Sequence, residues 1–359
     1  MFVAGIDAHT RYVVIVVVNK EGERVQGPVR VKSAEPQRLV QTLAPYRPLD
    51  VVVETSSSWP WLHELLSANG VRFVLAYAKR LRAIAEATYK SDTIDAELLA
   101  RMHLARLIPE VYATPAGQRE WATLIRHRIT LVRQRTALVN RIHAQLHTRG
   151  LFLKRGELLT RGGLEWLRTQ AWPALSAEQR RLTRTHLQLI AALRPLIRAL
   201  DRRIAQVAAA IPAAQLLQTI PGIGPHRALL LCAEVLPISR FRTPNQLASY
   251  AGLAPRSRQS GERGVRHGPL PAGVNRWLRG ALVRGVVSHV RYTPDSDLSR
   301  FYGACKARLG WPVARVATAR KLARVIHAML RTKQGWHGTP CQPQAENRNR
   351  GELRRTHAA

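Results

Sequence analysis

The sequence predicts an α/β domain built on a mixed sheet, followed by a long and mostly helical body. Three observations lead there. Short β-branched runs open the chain and then alternate with helical patterns over the first hundred residues. Residues 116–149 and 177–209 carry long helical periodicity. After residue 211, helical patterns recur between Gly- and Pro-containing turns.

Residues 2–6 read as a short buried strand ending at Asp7, and residues 12–18 as a second strand. Lys20 to Gly27 reads as a turn because Gly27 and Pro28 punctuate the chain, leaving 28–33 as a weaker third strand. A helical pattern covers 36–45. Residues 50–54, Asp-Val-Val-Val-Glu, form a fourth strand that again ends on a carboxylate. A helix over 60–68 is stopped by Gly70, and 71–77 make a fifth strand. Helices are expected over 79–88 and 93–107. Hairpin-like strands followed by αβα alternation give a sheet of mixed direction.

In the first long helix, Ile125, Val132, Val139 and Leu146 recur every seventh residue. In the second, Leu182, Leu189, Leu193, Leu196, Leu200 and Val207 have the 3–4 spacing of a coiled-coil seam, with Pro195 as a possible kink. The two stretches can pair as an antiparallel hairpin or across a dimer, and ordinary helix packing fits the same pattern. The residues from Gly335 to Ala359 are polar, without a core pattern, and are expected to be disordered.

Charge narrows the function. The chain has 359 residues and a formal net charge of +33. Residues 1–100 hold 12 basic and 11 acidic side chains, so nearly all the excess lies beyond them. That argues against an enzyme of small neutral metabolites and for a polyanionic partner, nucleic acid first. Arg supplies 48 of the 56 basic residues. Its planar fork suits phosphate and base contacts, although a GC-rich genome would raise the same ratio. Cys232, Cys305 and Cys341 form no metal spacing and no even disulfide set, which points to a reducing compartment. No leading signal peptide and no run of 18 apolar residues is present, so a cytoplasmic protein without a membrane partner is expected.

Three constellations carry chemistry. Asp7 and Glu54 end strands, while Asp92 and Asp95 lie three residues apart at a helix start and so share a face. Carboxylates gathered at strand ends repel one another unless a cation sits among them, and hard oxygen ligands suit Mg²⁺ or Mn²⁺. Each acid taken singly fits a solvated surface or helix N-terminus equally well. Second, Ile-Pro-Gly-Ile-Gly at 220–224 precedes a helix. Gly222 and Gly224 could let backbone N–H groups meet a phosphate as in a helix-hairpin-helix module, or simply make a turn. Third, a Gly-containing loop holds Arg256, Arg258, Ser260, Arg263, Arg266 and His267. Several guanidinium groups around a hydroxyl could bind a scissile phosphate, but spacing alone does not separate this from an ordinary loop Ser.

Read together, these segments resemble a known family. Gly-Ile-Asp at 5–7, Glu54 after its apolar strand, Lys-Ser-Asp-x-x-Asp-Ala at 90–96 and Ile-Pro-Gly-Ile-Gly at 220–224 are followed by Ala-Gly-Leu-Ala-Pro at 251–255. Gln-Ser-Gly at 259–261 and Gly-x-Asn-x-x-Leu-Arg at 273–279 complete the series. The order is similar to that of the DEDD-type insertion-sequence transposases, which include the pilin-gene invertases and the bridge-RNA-guided recombinases.

The resemblance implies a RuvC-like (ribonuclease-H-like) domain over 1–110, a coiled-coil segment over 111–210, and a transposase domain over 211–332, with a tail over 333–359. It implies that Asp7, Glu54, Asp92 and Asp95 bind Mg²⁺ (or Mn²⁺) and that Ser260 is the nucleophile, forming a phosphoserine link to DNA. Gly222, Gly224, Arg256, Arg258, Arg263, Arg266, Asn275 and Arg279 are the expected nucleic-acid contacts. The implied partners are target and donor DNA, a structured guide RNA, and further copies of the chain as a dimer or tetramer, with metal site and serine supplied by different copies. Two other functions fit the residues. One is a metal-dependent nuclease of Holliday-junction type in which water attacks. The other is a nucleic-acid-binding protein whose sheet domain is only a scaffold.

Overall fold

A computed structural model describes residues 1–78, 91–154, 156–255, 257–260, 263–268, 270–271 and 274–337, with backbone alone for 257–260 and 263–267. The helix expected over 79–88 lies outside the described residues. The chain divides into two compact units, Met1–Gly117 and Gln118–Ala359.

The first unit is a six-stranded sheet with helices on both faces. Strands β1 (Phe2–Ala8), β2 (Tyr12–Val18), β3 (Arg24–Lys32), β4 (Leu49–Glu54), β5 (Arg72–Ala76) and β6 (Glu110–Val111) are ordered β3-β2-β1-β4-β5-β6. β1 is antiparallel to β2 but parallel to β4, and β4 is parallel to β5. Helices α1 (Pro36–Leu43), α2 (Trp59–Ala68) and α3 (Asp92–Leu104) complete the described elements. Side chains of a strand alternate between faces, and the core divides accordingly. Ala4, Ile6, Val51 and Val53 pack with Leu39, Leu43, Leu62 and Leu66 on one side. Val3, Val52 and Val74 pack with Leu99, Ala100 and Met102 of α3 on the other.

The third strand begins earlier than expected. It runs through Gly27 and Pro28, and its register against β2 shifts between Ile15 and Val17. An edge strand needs no donor on its outer side, and an irregularity in the pairing absorbs the proline.

The second unit begins with the main part of α4 (Ala116–His147), then α5 (Arg161–Trp166) and α6 (Ala177–Ala209). Arg128 pairs with Asp201, Thr183 bonds Gln145, and Arg149 bonds Gln179. As one number rises the other falls, so α4 and α6 run antiparallel, side by side. The expected coiled-coil seam is buried only in part: Leu193 and Val207 pack against the cores. α6 buries Thr183, Ile190, Ile197 and Ile204, while Leu182, Leu189 and Leu196 are 50%, 48% and 54% exposed. The two stripes lie one residue apart, a rotation of about 100° around the helix. At one end Leu138, Ile142, Leu146 and Ile190 close over Leu158, Leu167, Ala171 and Leu175. At the other, Ile125, Ile204 and Ala208 join the main core.

That core is built by α7 (Pro212–Gln218), α8 (Pro225–Val235), α9 (Pro244–Tyr250), α10 (Arg276–Tyr292) and α11 (Asp297–Thr332). α11 is two helices meeting at Gly310, whose φ of 77° and ψ of 164° break the spiral just before Pro312. Between α9 and α10 the expected loop is a two-stranded hairpin, β7 (Ser257–Ser260) and β8 (Arg263–His267). Residues 335–337, expected to be disordered, are held in place: the Trp336 N–H donates to Thr219 Oγ1 at 2.9 Å and its ring meets His289 edge-on. Residues 338–359 lie outside the described residues. No helix among the described residues is long and apolar enough to cross a membrane.

Candidate active site

The acidic site is set by how closely α3 lies on the sheet. Gly5 is on the α3 side of β1, and a Cβ there would fall 1.8 Å from the Ala96 carbonyl oxygen. Only a glycine permits that approach. Asp7, two residues along, shares Gly5's face. The parallel register pairs Ile6 with Val53, bringing Asp7 level with Glu54 on the neighbouring strand.

The other end of β4 fixes how α3 runs. Asp50, on the same face as Glu54, bonds His103 Nε2 at 2.9 Å and Arg72 Nη1 at 2.9 Å. Glu54 lies four residues on, about 13 Å along the strand. Asp95 lies eight residues before His103, about 12 Å along the helix. With Asp50 tied to the helix end, Glu54 lies toward the end of the sheet that faces the helix start, where Tyr12 of β2 meets Asp92. Ser91 caps that start, its Oγ accepting from the Ile94 N–H at 3.2 Å.

Side-chain geometry then converges on Asp7 and Asp92. His9 Nε2 is 3.0 Å from Asp7 Oδ2 and 3.3 Å from Asp92 Oδ2. The Tyr12 hydroxyl donates to Asp92 Oδ2 at 3.0 Å, with the Arg30 guanidinium 3.5 Å over the Tyr12 ring. Ligand atoms of Asp7, His9 and Asp92 lie within 4.8 Å of one another. Burial raises the Asp7 carboxyl above its ordinary value; His9 opposes this, while the charges of Asp92 and Asp95 add to it. Such a group calls for a cation. Hard carboxylates with one imidazole suit a small divalent ion. His9 and Tyr12 escaped the sequence reading: a single His in a turn carries no pattern, and only the Asp7-x-His9 spacing hinted at it.

The remaining predicted residues all lie in the second unit. Ser260 pairs with Arg263 across the hairpin, and Arg258 pairs with Arg266, with a register shift between Arg258 and Ser260. Arg256 lies outside the described residues. Gly222 has φ of 87° and packs against α10, where a Cβ would come 2.6 Å from the His289 N. Gly224 is the N-cap of α8, with open space around it.

Asn275 and Arg279 are engaged within the protein. Asn275 caps α10 by accepting from the Leu278 N–H at 3.0 Å, and it donates to the buried Glu234 at 2.7 Å. Glu234 also binds Arg126 at 2.7 Å. The Arg279 guanidinium donates to the carbonyl oxygens of Ala251, at 3.4 Å, and Pro271, at 2.8 Å. It thereby holds both ends of the segment that carries the hairpin.

An acid-ended mixed sheet in a chain whose remainder is strongly basic is a combination suited to an enzyme that acts on nucleic acid. Comparison with known proteins narrows the class. A family model described as "Transposase" matches residues 4–149, and one described as "Transposase IS116/IS110/IS902 family" matches 214–302. The putative transposase y4rJ of Sinorhizobium fredii is 32% identical over 286 residues, covering 72% of this chain and 69% of that protein. The transposase for insertion sequence element IS1111A of Coxiella burnetii is 28% identical over 304 residues, covering 84% and 82%. The pilin gene-inverting protein of Moraxella bovis is 38% identical over 123 residues, covering 33% and 37%. The chain belongs to the IS116/IS110/IS902 family of transposases, enzymes of DNA recombination.

Proposed function

We propose that this transposase cuts and rejoins DNA through a phosphoserine at Ser260, assisted by a divalent cation held by Asp7, Glu54, Asp92 and Asp95. The convergence of Asp7, His9 and Asp92, with ligand atoms within 4.8 Å of one another, carries the reading. Bound there, Mg²⁺ or Mn²⁺ would neutralise charge developing on the phosphate oxygens. His9 would stand as a further ligand or orient the two carboxylates.

The Ser260 hydroxyl attacks phosphorus, forming an Oγ–P bond and expelling the hydroxyl of one strand. The hydroxyl of another strand then attacks the same phosphorus and frees the serine. Each exchange conserves the number of phosphate ester bonds, so joining needs no high-energy cofactor. Arg258, Arg263 and Arg266 share the hairpin with Ser260 and supply positive charge for the phosphate.

Different copies of the chain would contribute the acids and the serine. The half-exposed stripe of Leu182, Leu189 and Leu196 supports self-association. A structured RNA that selects target and donor DNA by base pairing fits a protein whose excess charge is mostly Arg and whose aromatic content is 6%. The domains follow: a catalytic sheet domain over 1–110, helices over 111–210, and a serine-bearing domain over 211–332.

The test is a trapping assay with Mg²⁺, element-end DNA and RNA transcribed from the element's flanks, resolved on a denaturing gel. A protein–DNA adduct that is lost in Ser260→Ala and kept in Ser257→Ala is expected. Cleaved DNA without an adduct would instead mean hydrolysis by the acidic site, and the phosphoserine reading would fall.

A further inference from the structure

Away from the acids and the hairpin, α4, α8 and α10 enclose a cavity of about 540 Å³ within the second unit. Its lining includes Arg128, Arg133, His226, Arg227 and Arg284, and no carboxylate among the described residues. Arg128 is neutralised by a two-pronged pair with Asp201, at 2.8 and 3.2 Å. The other three guanidinium groups have no ion pair among the described residues. Arg133 lies 5.4 Å over the Trp277 ring. Arg227 is anchored by a hydrogen bond to the Gly222 carbonyl oxygen. Arg284 occupies space left by Gly280, where a Cβ would come 3.1 Å from both its Nη atoms.

Three fixed cations at one half-buried place are costly without a counter-charge. Burial, and after it the Arg284 charge, lowers the Arg227 guanidinium from its ordinary value; burial and then the Arg133 charge do the same to Arg284. His226 adds a buried Nε2 with no hydrogen-bond partner. The start of α8, capped at Gly224, turns the positive end of its dipole to the same space.

We propose that this cavity binds a backbone phosphodiester of nucleic acid, gripped by Arg133, Arg227 and Arg284 with His226 as a further polar partner. Such a contact is independent of base sequence and positions the strand rather than reading it. Duplex DNA and RNA present the same group, and the chemistry of the cavity suits both. The inference takes the identity of its anion from the reading of the chain as a DNA-joining enzyme that uses RNA.

The experiment compares wild type with Arg227→Gln/Arg284→Gln, measuring affinity against salt for a 30-base-pair DNA and for an RNA hairpin of similar charge (probe lengths of about this size cover several helical turns). Losing two phosphate contacts should weaken binding about ten- to a hundredfold at low salt and flatten the slope of log K against log salt by about 1–2. A change with DNA alone assigns the cavity to DNA, a change with RNA alone assigns it to RNA, and a change with both assigns it to whichever strand occupies a shared path. Unchanged affinity and slope with both probes overturn the proposal. As a second readout, inorganic phosphate should raise the melting temperature of wild type more than that of the variant; an equal rise counts against the site. The Ser260 adduct assay is run on wild type in parallel. If the adduct forms and the arginine variant still binds normally, the cavity proposal alone has failed.

Discussion

Replacing Gly5 by Ala tests how the fold brings the acids together. The new Cβ would lie 1.8 Å from the Ala96 carbonyl oxygen, 2.8 Å from its carbon and 3.0 Å from the Ala100 nitrogen. All three are backbone atoms, so no side chain can rotate aside. Reaching ordinary contact requires α3 to retreat by about 1.5 Å, and overpacking of this kind costs about 1–3 kcal/mol. For a unit of roughly a hundred residues, that corresponds to a melting temperature lower by about 5–20 °C. Asp92 and Asp95 sit on the turn that precedes Ala96, so they retreat with it while Asp7 stays on β1. Metal ligands tolerate shifts of only about 0.2 Å, so the affinity for Mn²⁺ should fall at least about tenfold. Calorimetric Mn²⁺ titration and thermal melts measure both effects, with Asp92→Asn as a comparator that loses a ligand without the clash. A Gly5→Ala protein that melts and binds Mn²⁺ as wild type does would refute the argument that this close approach builds the site.

Three further outcomes follow from the second unit. Ile190→Ala should cost about 2–4 kcal/mol in urea unfolding and Leu189→Ala less than about 1, because Ile190 is buried and Leu189 half-exposed; equal costs would restore the leucine seam. His226 is held to about 4 chiefly by burial, the Arg128 charge adding to this and its partner Asp201 opposing it, against an ordinary 6.5. The stability it gives as a neutral side chain is therefore complete above pH 6.5 and is lost as pH falls toward 4, because the unfolded chain takes the proton first. His226→Gln should flatten the stability profile across that interval, and an unchanged acid slope would show that another group causes it. Glu234→Ala should cost about 1–3 kcal/mol by stranding Arg126 and loosening the Asn275 cap; a change under about 0.5 would mean the pair is dispensable.

Much of the sheet was legible because its strands are apolar, β-branched runs, and the acids stood out as the places where those runs break. The third strand was cut short because Gly27-Pro28 reads as a turn, and only its place at the sheet edge excuses the proline. On α6 the leucines outnumber the isoleucines, so periodicity set the seam one residue off at Leu182, Leu189 and Leu196; which of two stripes is buried depends on the partner helix. The hairpin around Ser260 is polar on both strands, so no alternation of apolar and polar residues announces it. Glu54 and Asp95 could be nominated from sequence, but their nearness to Asp7 depends on strand register and on the direction in which α3 runs. The arginine cavity draws from three helices far apart in sequence, and no local pattern contains it.

Arg279 clasps the carbonyls of Ala251 and Pro271 with one guanidinium. Among the described residues, that guanidinium fastens two points that flank the serine-bearing hairpin. Lengthening a loop whose ends are already held costs only about 0.6 kcal/mol per doubling. Changes of length or sequence between those two held points should therefore leave the folding of the helical body largely as before.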